Sequence, residues 1–207
     1  MELYVFFSYP NKKEKWYWRA LSWIIAFFSG GNYSHTGVII KLDENKFILA
    51  DQNYPKSRYI EYNKNQLIKH FEVSTVYTFK IIANQKYLKE IDDNLKKQVG
   101  KKYSIWQLVY IMFRAMIIPS LLGIPQFMKK HIKSIRNEYV CSEYTNNFVF
   151  TPLEGKTGIY VYKWLTNLEK DMVSPTYQYN VIHNYIDVCE DKKVDCEFEK
   201  IDLIPEQ

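Results

Sequence analysis

Two short apolar runs, residues 36–42 and 46–50, flank a polar turn, and this pattern constrains the fold more than any other part of the sequence. The turn between them is Asp43-Glu44-Asn45. Apolar and β-branched runs on both sides of such a turn predict an antiparallel hairpin. Further strands are predicted at residues 3–8, 58–62 and 73–82. We therefore expect an antiparallel sheet.

Helical patterns occur between and after these strands. Residues 13–28 carry apolar side chains at intervals of three to four, which predicts a helix. Trp16, Trp23 and Phe27 belong to this set. A second helix is predicted at residues 87–99. Strands and helices together predict an α+β fold.

Residues 105–124, IWQLVYIMFRAMIIPSLLGI, are nearly long enough to cross a bilayer. Arg114 lies near the middle of this segment, and Pro119 interrupts its end. A charge at that depth costs about 2.5–3.5 kcal/mol, so the segment is predicted to be a buried or surface-docked helix. With the basic residues 129–138 that follow, it also fits a membrane surface, and this alternative stays open.

The chain has 207 residues, of which 47% are hydrophobic and 25% are charged, and this balance is typical of a globular protein. One domain is predicted over residues 1–187, followed by a charged C-terminal tail at 188–207. The net charge of +5 is modest and no Lys/Arg block is dense, so no nucleic-acid partner is predicted. The N-terminal residues do not resemble a secretory signal, which predicts a cytoplasmic protein.

The sequence contains three cysteines, Cys141, Cys189 and Cys196, and no Cys-x-x-Cys pair. This argues against a disulfide scaffold and against a cysteine-rich zinc site. Cys189 and Cys196 are predicted to be free thiols in the tail, with pairing in an oxidising compartment as the alternative. The histidines and cysteines have no spacing typical of metal ligands, so no metal or other cofactor is expected.

The stretch NYSHTGVII, residues 32–40, places His35 at the start of a predicted strand. Such an imidazole is either a buried hydrogen-bonding group or part of a functional site. The stretch EYVCSEYTNNFVF, residues 138–150, places Cys141 at the start of a predicted helix that runs to about residue 149. A helix N-terminus stabilises a thiolate, and with an imidazole nearby such a cysteine becomes a nucleophile. A buried structural cysteine is the alternative.

Four motifs occur along the chain in a characteristic order. They are YSHTGVII (33–40), FILAD (47–51), GKKYSIWQL (100–108) and YVCSEYTNNF (139–148), with weaker support from SPTYQYNVI (174–182). Together they resemble the circularly permuted NlpC-type papain-like cysteine hydrolases, the YiiX-like branch related to lecithin retinol acyltransferase. In this branch the histidine strand precedes the cysteine helix, as His35 precedes Cys141 here. The resemblance spans residues 33 to about 182.

The resemblance implies a permuted papain-like fold, with an antiparallel sheet carrying the histidine packed against a helix that begins at the nucleophile. Cys141 would attack the substrate, His35 would act as its base, and Asp51 would orient the imidazole. The family usually has a Glu or another polar residue in a Leu-Glu-Ala context, whereas this chain has Leu49-Ala50-Asp51. The alternatives for the orienting residue are therefore Gln52, Asn53 and Glu61. Substrate or oxyanion support is expected from Tyr103, Ser142 and Tyr33.

The activity that the resemblance implies is that of a cysteine hydrolase or acyltransferase, which cleaves an amide or an ester through an acyl-enzyme. Peptide, glycopeptide and lipid-type acyl substrates all fit this chemistry, and no cofactor is expected. Peripheral binding to a membrane stays open as a further interaction. A catalytically inactive binding or membrane-surface protein that retains the fold is the alternative function. The oligomeric state is not predicted.

Overall fold

An antiparallel sheet of six strands is the main feature of the fold. The computed structural model describes residues 1–28, 31–105, 138–157, 160–166 and 174–204. The described strands are β1 (Glu2–Pro10), β2 (His35–Lys41), β3 (Lys46–Gln52), β4 (Ser57–Asn63), β5 (Ser74–Ile81), β6 (Lys102–Tyr103), β7 (Glu138–Tyr139) and β8 (Phe198–Ile201). The sheet has the strand order β4-β3-β2-β1-β5-β8, and β6 and β7 form a separate short parallel pair.

The helices lie between these strands in the chain. They are α1 (Trp16–Phe28), α2 (Lys64–His70), α3 (Gln85–Lys97), α4 (Cys141–Thr145), α5 (Thr151–Thr157), α6 (Tyr160–Thr166) and α7 (Pro175–Lys192). A π-helical segment (Asn146–Phe150) joins α4 directly to α5. The prediction of an α+β fold with an antiparallel sheet is confirmed.

The predicted hairpin, β2 and β3, is the part of the sheet that positions the candidate site. β2 and β3 pair in antiparallel register from Gly37 opposite Asp51 to Lys41 opposite Phe47. β1 pairs with β2 on one side and with β5 on the other. β2 is therefore an interior strand, and His35 is its first residue, paired with Ser8 of β1.

Alternating side chains of the strands divide the core into two clusters, as the two-residue period of a strand requires. On β1, Leu3, Val5 and Phe7 belong to the larger cluster, which also takes in buried side chains of α3, α5, α6 and α7. Tyr4 and Phe6 belong to the smaller cluster, which α2 covers. The sheet thus has helices on both faces.

The C-terminal segment differs from the predicted charged tail. The expected boundary at residue 187 falls inside α7, and β8 pairs with β5 at the edge of the sheet. Phe198 and Ile204 are buried in the core, at 2% and 5% exposure, while Glu199 and Lys200 are exposed. The charges therefore belong to the exposed part of an edge strand. Residues 188–204 are part of the fold.

The short helix α2 was not predicted, although its start carries a recognisable signal. The Asn63 side chain accepts a hydrogen bond from the Gln66 backbone, and the Gln66 side chain accepts one from the Asn63 backbone. This reciprocal pair is a capping box. Leu67 of α2 is buried in the smaller cluster.

The predicted apolar helix at residues 105–124 lies outside the described residues except for Ile105. Within the part of the chain that the structure describes, no helix is both long enough and apolar enough to cross a membrane.

Candidate active site

The β2–β3 hairpin brings His35 and Asp51 into direct contact. The His35 Nε2 atom lies 2.9 Å from the Asp51 Oδ2 atom. Asp51 pairs directly with Gly37, so His35 is its diagonal neighbour two residues along β2. Diagonal neighbours share a face of the sheet, and long side chains can reach between them. The structure therefore places the Asp51 carboxylate on the His35 ring.

Gly37 makes this contact possible because it leaves space opposite Asp51. A Cβ atom built at Gly37 would lie 2.7 Å from the Asp51 Cβ atom and 2.7 Å from the Phe6 Cε1 atom. Both distances are far below ordinary van der Waals contact. The Phe6 ring in turn packs 5.7 Å from the His35 ring, centroid to centroid. The glycine of the Ser-His-x-Gly motif thus allows the aspartate and the phenylalanine to approach the histidine strand.

Arg58 holds the Asp51 carboxylate from the opposite side. These residues pair across β3 and β4. The Arg58 Nε atom donates to Asp51 Oδ1 at 2.8 Å, and its terminal nitrogen donates to Oδ2 at 2.6 Å. Asp51 is 1% exposed. Its burial disfavours the charge, but the hydrogen bonds from His35 and Arg58 outweigh burial and lower the pKa of Asp51 to about 2.

His35 connects this carboxylate to Cys141. Enclosure by protein atoms works against the imidazolium, but hydrogen bonds to Asp51 and to Cys141 outweigh it and raise the pKa of His35 to about 9. Because Nε2 is bonded to Asp51, Nδ1 is the ring nitrogen left for the thiol. The side chain of His35 remains 25% exposed. The ring is therefore protonated at neutral pH and still open to solvent on one side.

Cys141 begins α4, and its backbone lies at the open end of the helix. The residue before it, Val140, is the N-cap and has an extended backbone. A valine side chain has no oxygen to accept bonds from the first helical N–H groups, which point toward the region of the thiol. Cys141 is 4% exposed. The partial positive charge of the helix terminus and the imidazolium of His35 both lie beside this residue.

Ser142 lies next to the candidate nucleophile and helps to anchor the helix. It is 2% exposed, and its carbonyl oxygen accepts a hydrogen bond of 2.9 Å from the Gln178 side chain on α7. Gln178 itself is fully buried. The start of α4 is therefore tied to α7 through this bond.

Tyr103 lies beside Cys141 because β6 pairs with the strand that leads into α4. Tyr103 is opposite Tyr139, two residues before Cys141. Burial raises the pKa of Tyr103 above its usual value, and the negative charge of an ionised Cys141 raises it further. The phenol therefore stays protonated and can donate a hydrogen bond near the thiol.

Tyr33 occupies a packed aromatic cluster. Its ring lies 4.2 Å from the ring of Tyr179 on α7, and its backbone N–H donates to the Thr176 hydroxyl at 3.2 Å. It is 8% exposed. These contacts fix the chain just before His35, and the role of Tyr33 in oxyanion or substrate support stays a prediction.

The three alternative orienting residues have other partners. The Gln52 side chain donates to the Lys101 carbonyl at 3.2 Å, and the Asn53 side chain accepts from the Tyr54 backbone at 2.8 Å. Glu61 forms an ion pair of 3.1 Å with Lys46. Asp51 is therefore the one among the four candidates that contacts His35 in this structure.

Two contributors were not identified from the sequence. The sequence predicts a strand at Arg58 but no functional role for it. Gln178 belongs to the motif SPTYQYNVI, which gives only weak support to the family resemblance. One signal in the sequence could have indicated Arg58. It is a basic residue seven positions after Asp51, and it lies on the next strand of the antiparallel meander. No local signal indicated Gln178. Among the described residues, no group of three or more His, Cys, Asp or Glu side chains is arranged to hold a metal ion.

Comparison with known proteins adds no assignment to this geometry. No family model matches the chain, and no curated protein matches it.

Proposed function

We propose that this protein is a cysteine hydrolase or acyltransferase that forms an acyl-enzyme on Cys141. The observation that carries the proposal is the position of His35, whose ring is hydrogen-bonded to Asp51 and is close enough to Cys141 for the sulfur to raise its pKa. A nucleophile, a base and a group that orients the base form the arrangement that acyl transfer requires.

In the first step His35 holds the proton of the Cys141 thiol as an imidazolium, and the sulfur attacks a carbonyl carbon, forming a C–S bond while the C=O π pair moves to the oxygen. The backbone N–H of Cys141 at the start of α4 is a donor for this oxyanion. When the intermediate collapses, the bond to the amine or alcohol breaks, and the leaving group takes a proton from the His35 imidazolium. The product of this step is a thioester on Cys141.

In the second step an acceptor attacks the thioester carbonyl. His35, now neutral, takes the proton of the acceptor, and the Cys141 sulfur leaves as thiolate. Water as the acceptor gives hydrolysis, and an alcohol or amine gives acyl transfer. Asp51 keeps the imidazole in the orientation that serves both steps and favours its charged form.

The order of elements also supports a circularly permuted papain-like fold. The strand with the histidine precedes the helix with the cysteine in the chain, and α4 packs against β2. We propose peptides with D-amino acids, such as those of peptidoglycan, and lipid-type acyl esters as the two substrate classes. Both present the carbonyl that the mechanism needs.

The proposal is tested by incubating the protein with a panel of ester, thioester and D-amino-acid peptide probes. Intact-protein mass spectrometry then detects the acyl group, and peptide mapping identifies the residue that carries it. We expect a stable mass increase on Cys141 with at least one probe class. The variant Cys189→Ser/Cys196→Ser is the matched control and should acylate at the parent rate.

The variants Cys141→Ala and His35→Ala should show neither the mass increase nor turnover. If Cys141→Ala turns over a probe as fast as the parent, the nucleophile is elsewhere and the proposal fails. If no probe acylates a folded parent protein, the inactive binding protein becomes the better assignment.

A further inference from the structure

Helix α1 exposes a large apolar surface. Trp16, Trp23 and Phe27 are 74%, 71% and 67% exposed. Their spacing of seven and four residues puts all three on one side of the helix. We call these three side chains the aromatic face. Trp23 and Phe27 lie with their ring centroids 6.4 Å apart and nearly parallel.

The neighbouring side chains extend this apolar surface. Exposed fractions of 40% to 45% are found at Tyr17, Trp18, Leu21 and Ile24. The one buried side chain described on α1 is Ala26, at 7% exposure. Soluble proteins rarely leave a contiguous apolar patch of this kind in water unless it is an interaction site.

The charges around α1 indicate the kind of partner. Exposed Lys12, Lys13, Lys15 and Arg19 lie in the segment before the helix and in its first turn, and Glu14 among them leaves an excess of positive charge. The helix itself contains no Asp or Glu. Tryptophan combines an apolar ring with a polar N–H, which suits the boundary between lipid headgroups and acyl chains. Basic residues next to such an aromatic surface are typical of helices that lie on anionic bilayers.

We propose that α1 docks on an anionic lipid bilayer, with the aromatic face at the headgroup–acyl boundary and the four basic side chains against lipid phosphates. A second copy of this chain is a poorer occupant, because it would bring the same positive cluster and no acidic residue on the helix to neutralise it. This inference does not depend on the acyl-transfer chemistry.

Docking would also set the distance between the membrane and the candidate site. α1 ends at Phe28, and β2 begins at His35. Seven residues of extended chain span at most about 25 Å, so the end of the helix lies within that distance of the imidazole. A bilayer bound by α1 would therefore lie near the edge of the sheet that carries the site.

The test is flotation of the full chain with vesicles of phosphatidylcholine and of phosphatidylcholine with about 30% phosphatidylglycerol, across a salt series. We expect binding to the anionic vesicles that weakens as salt screens the charges, with a blue shift of tryptophan emission. The variant Trp16→Ala/Trp23→Ala/Phe27→Ala should lose about tenfold or more in binding, because the apolar contact area is removed.

Charge has its own matched control. Lys12→Glu/Lys13→Glu/Lys15→Glu should reduce binding to anionic vesicles about tenfold or more, since each basic residue near the surface contributes to the attraction. Lys86→Glu/Lys89→Glu/Lys97→Glu changes three exposed lysines of α3 by the same charge and should retain most of the binding. Cys141→Ala should bind like the parent, which separates this proposal from the enzymatic one.

Three outcomes would overturn the inference. In the first, the folded parent protein ignores both kinds of vesicle. In the second, both lysine variants lose binding equally, which assigns the attraction to net charge alone. In the third, the parent is a dimer in solution and the aromatic variant is a monomer, which assigns the face to contact between copies.

Discussion

Arg58 and Asp51 face each other across β3 and β4 and are joined by two hydrogen bonds of 2.8 and 2.6 Å. The two hydrogen bonds from Arg58 hold both oxygens of the Asp51 carboxylate. Oδ2 is also hydrogen-bonded to the His35 Nε2 atom. Asp51 therefore cannot rotate away from the imidazole without breaking its bonds to the guanidinium. We infer that Arg58 is a positioning residue that acts on His35 through Asp51.

Replacing Arg58 by Met should destabilise the protein by about 2–3 kcal/mol, because a buried carboxylate loses one of its two cationic partners. The free energy of unfolding is measured by urea denaturation. Arg58→Lys should restore only part of it, since an ammonium group cannot make the paired bonds. The control is Lys46→Met, which removes the exposed partner of Glu61 and should cost less than about 1 kcal/mol. Equal losses for both methionine variants would contradict this role for Arg58.

The orienting role of Asp51 predicts a shift in the pH profile of activity. Turnover of an accepted probe should fall as pH rises through about 9, where His35 loses the proton that the leaving group needs. Asp51→Asn removes the charge and the hydrogen bond that raise the pKa of His35, so this limb should move to lower pH. The rate should also fall by about 10²-fold.

Asp187→Asn is the matched control for Asp51→Asn. Asp187 pairs with His183 at 3.1 Å on the surface of α7, away from Cys141. Its replacement should change neither the rate nor the pH profile. An unshifted profile in Asp51→Asn would mean that another group sets the pKa of His35.

Gly37 offers a test of packing at the site. Gly37→Ala forces a Cβ atom into the space between Asp51 and Phe6, where both contacts would be 2.7 Å. We expect a loss of about 1–3 kcal/mol in stability and a slower acylation of Cys141, because the aspartate must move. Gly155→Ala is the control, since a Cβ there meets nothing within 4 Å and lies in a helix. That substitution should stabilise the protein by about 0.5–1 kcal/mol.

The local patterns of the sequence were enough to predict the hairpin and to select His35 and Cys141 as candidate site residues. The hairpin depends on residues close together in the chain, so its apolar runs and polar turn indicate both strands. The placement of His35 at a strand start and of Cys141 at a helix start is likewise local. The contact between His35 and Cys141 had to be assumed from the family resemblance, because the two residues are 106 positions apart in the chain.

Contacts that depend on register or on distant elements could not be predicted in the same way. Asp51 reaches His35 diagonally, and that contact exists because Gly37 leaves room, which only the paired strands show. Arg58 needs the register of β4 as well. β8 was missed because Glu199 and Lys200 make a four-residue edge strand look like a charged tail.

The ion pair at the site should make stability depend on pH at both ends. The pKa of Asp51 falls from 3.8 to about 2 on folding, so its stabilising effect is present above pH 3.8 and is lost as pH drops toward 2. The pKa of His35 rises from 6.5 to about 9, so its effect is present below pH 6.5 and is lost as pH rises toward 9. Unfolding free energies of the parent and of His35→Gln/Asp51→Asn should therefore differ most between about pH 4 and 6.5. A difference that is constant from pH 2 to 9 would contradict these shifts.

The reactivity of the three thiols is the most direct test of the candidate site. At pH 6.5 His35 is protonated, so its positive charge and the helix N-terminus both lie beside the Cys141 sulfur. Burial raises the pKa of Cys196 to about 12, so this thiol should react slowly. Cys189 lies near the C-terminal end of α7 and lacks the helix N-terminus that lies beside Cys141, so it should react slowly as well. A small alkylating agent should label Cys141 at least about tenfold faster than either, as peptide mass spectrometry over time would show.

His35→Ala should abolish this preference, because Cys141 then loses its cationic neighbour and keeps only the weaker field of the helix terminus. His183→Ala removes a surface histidine that also pairs with an aspartate, and it should label like the parent. If His35→Ala labels Cys141 as fast as the parent while folded, the hydrogen bond between the two residues has no chemical consequence. His35 would then be a structural histidine at the start of a strand, and Cys141 would owe any reactivity to its helix alone.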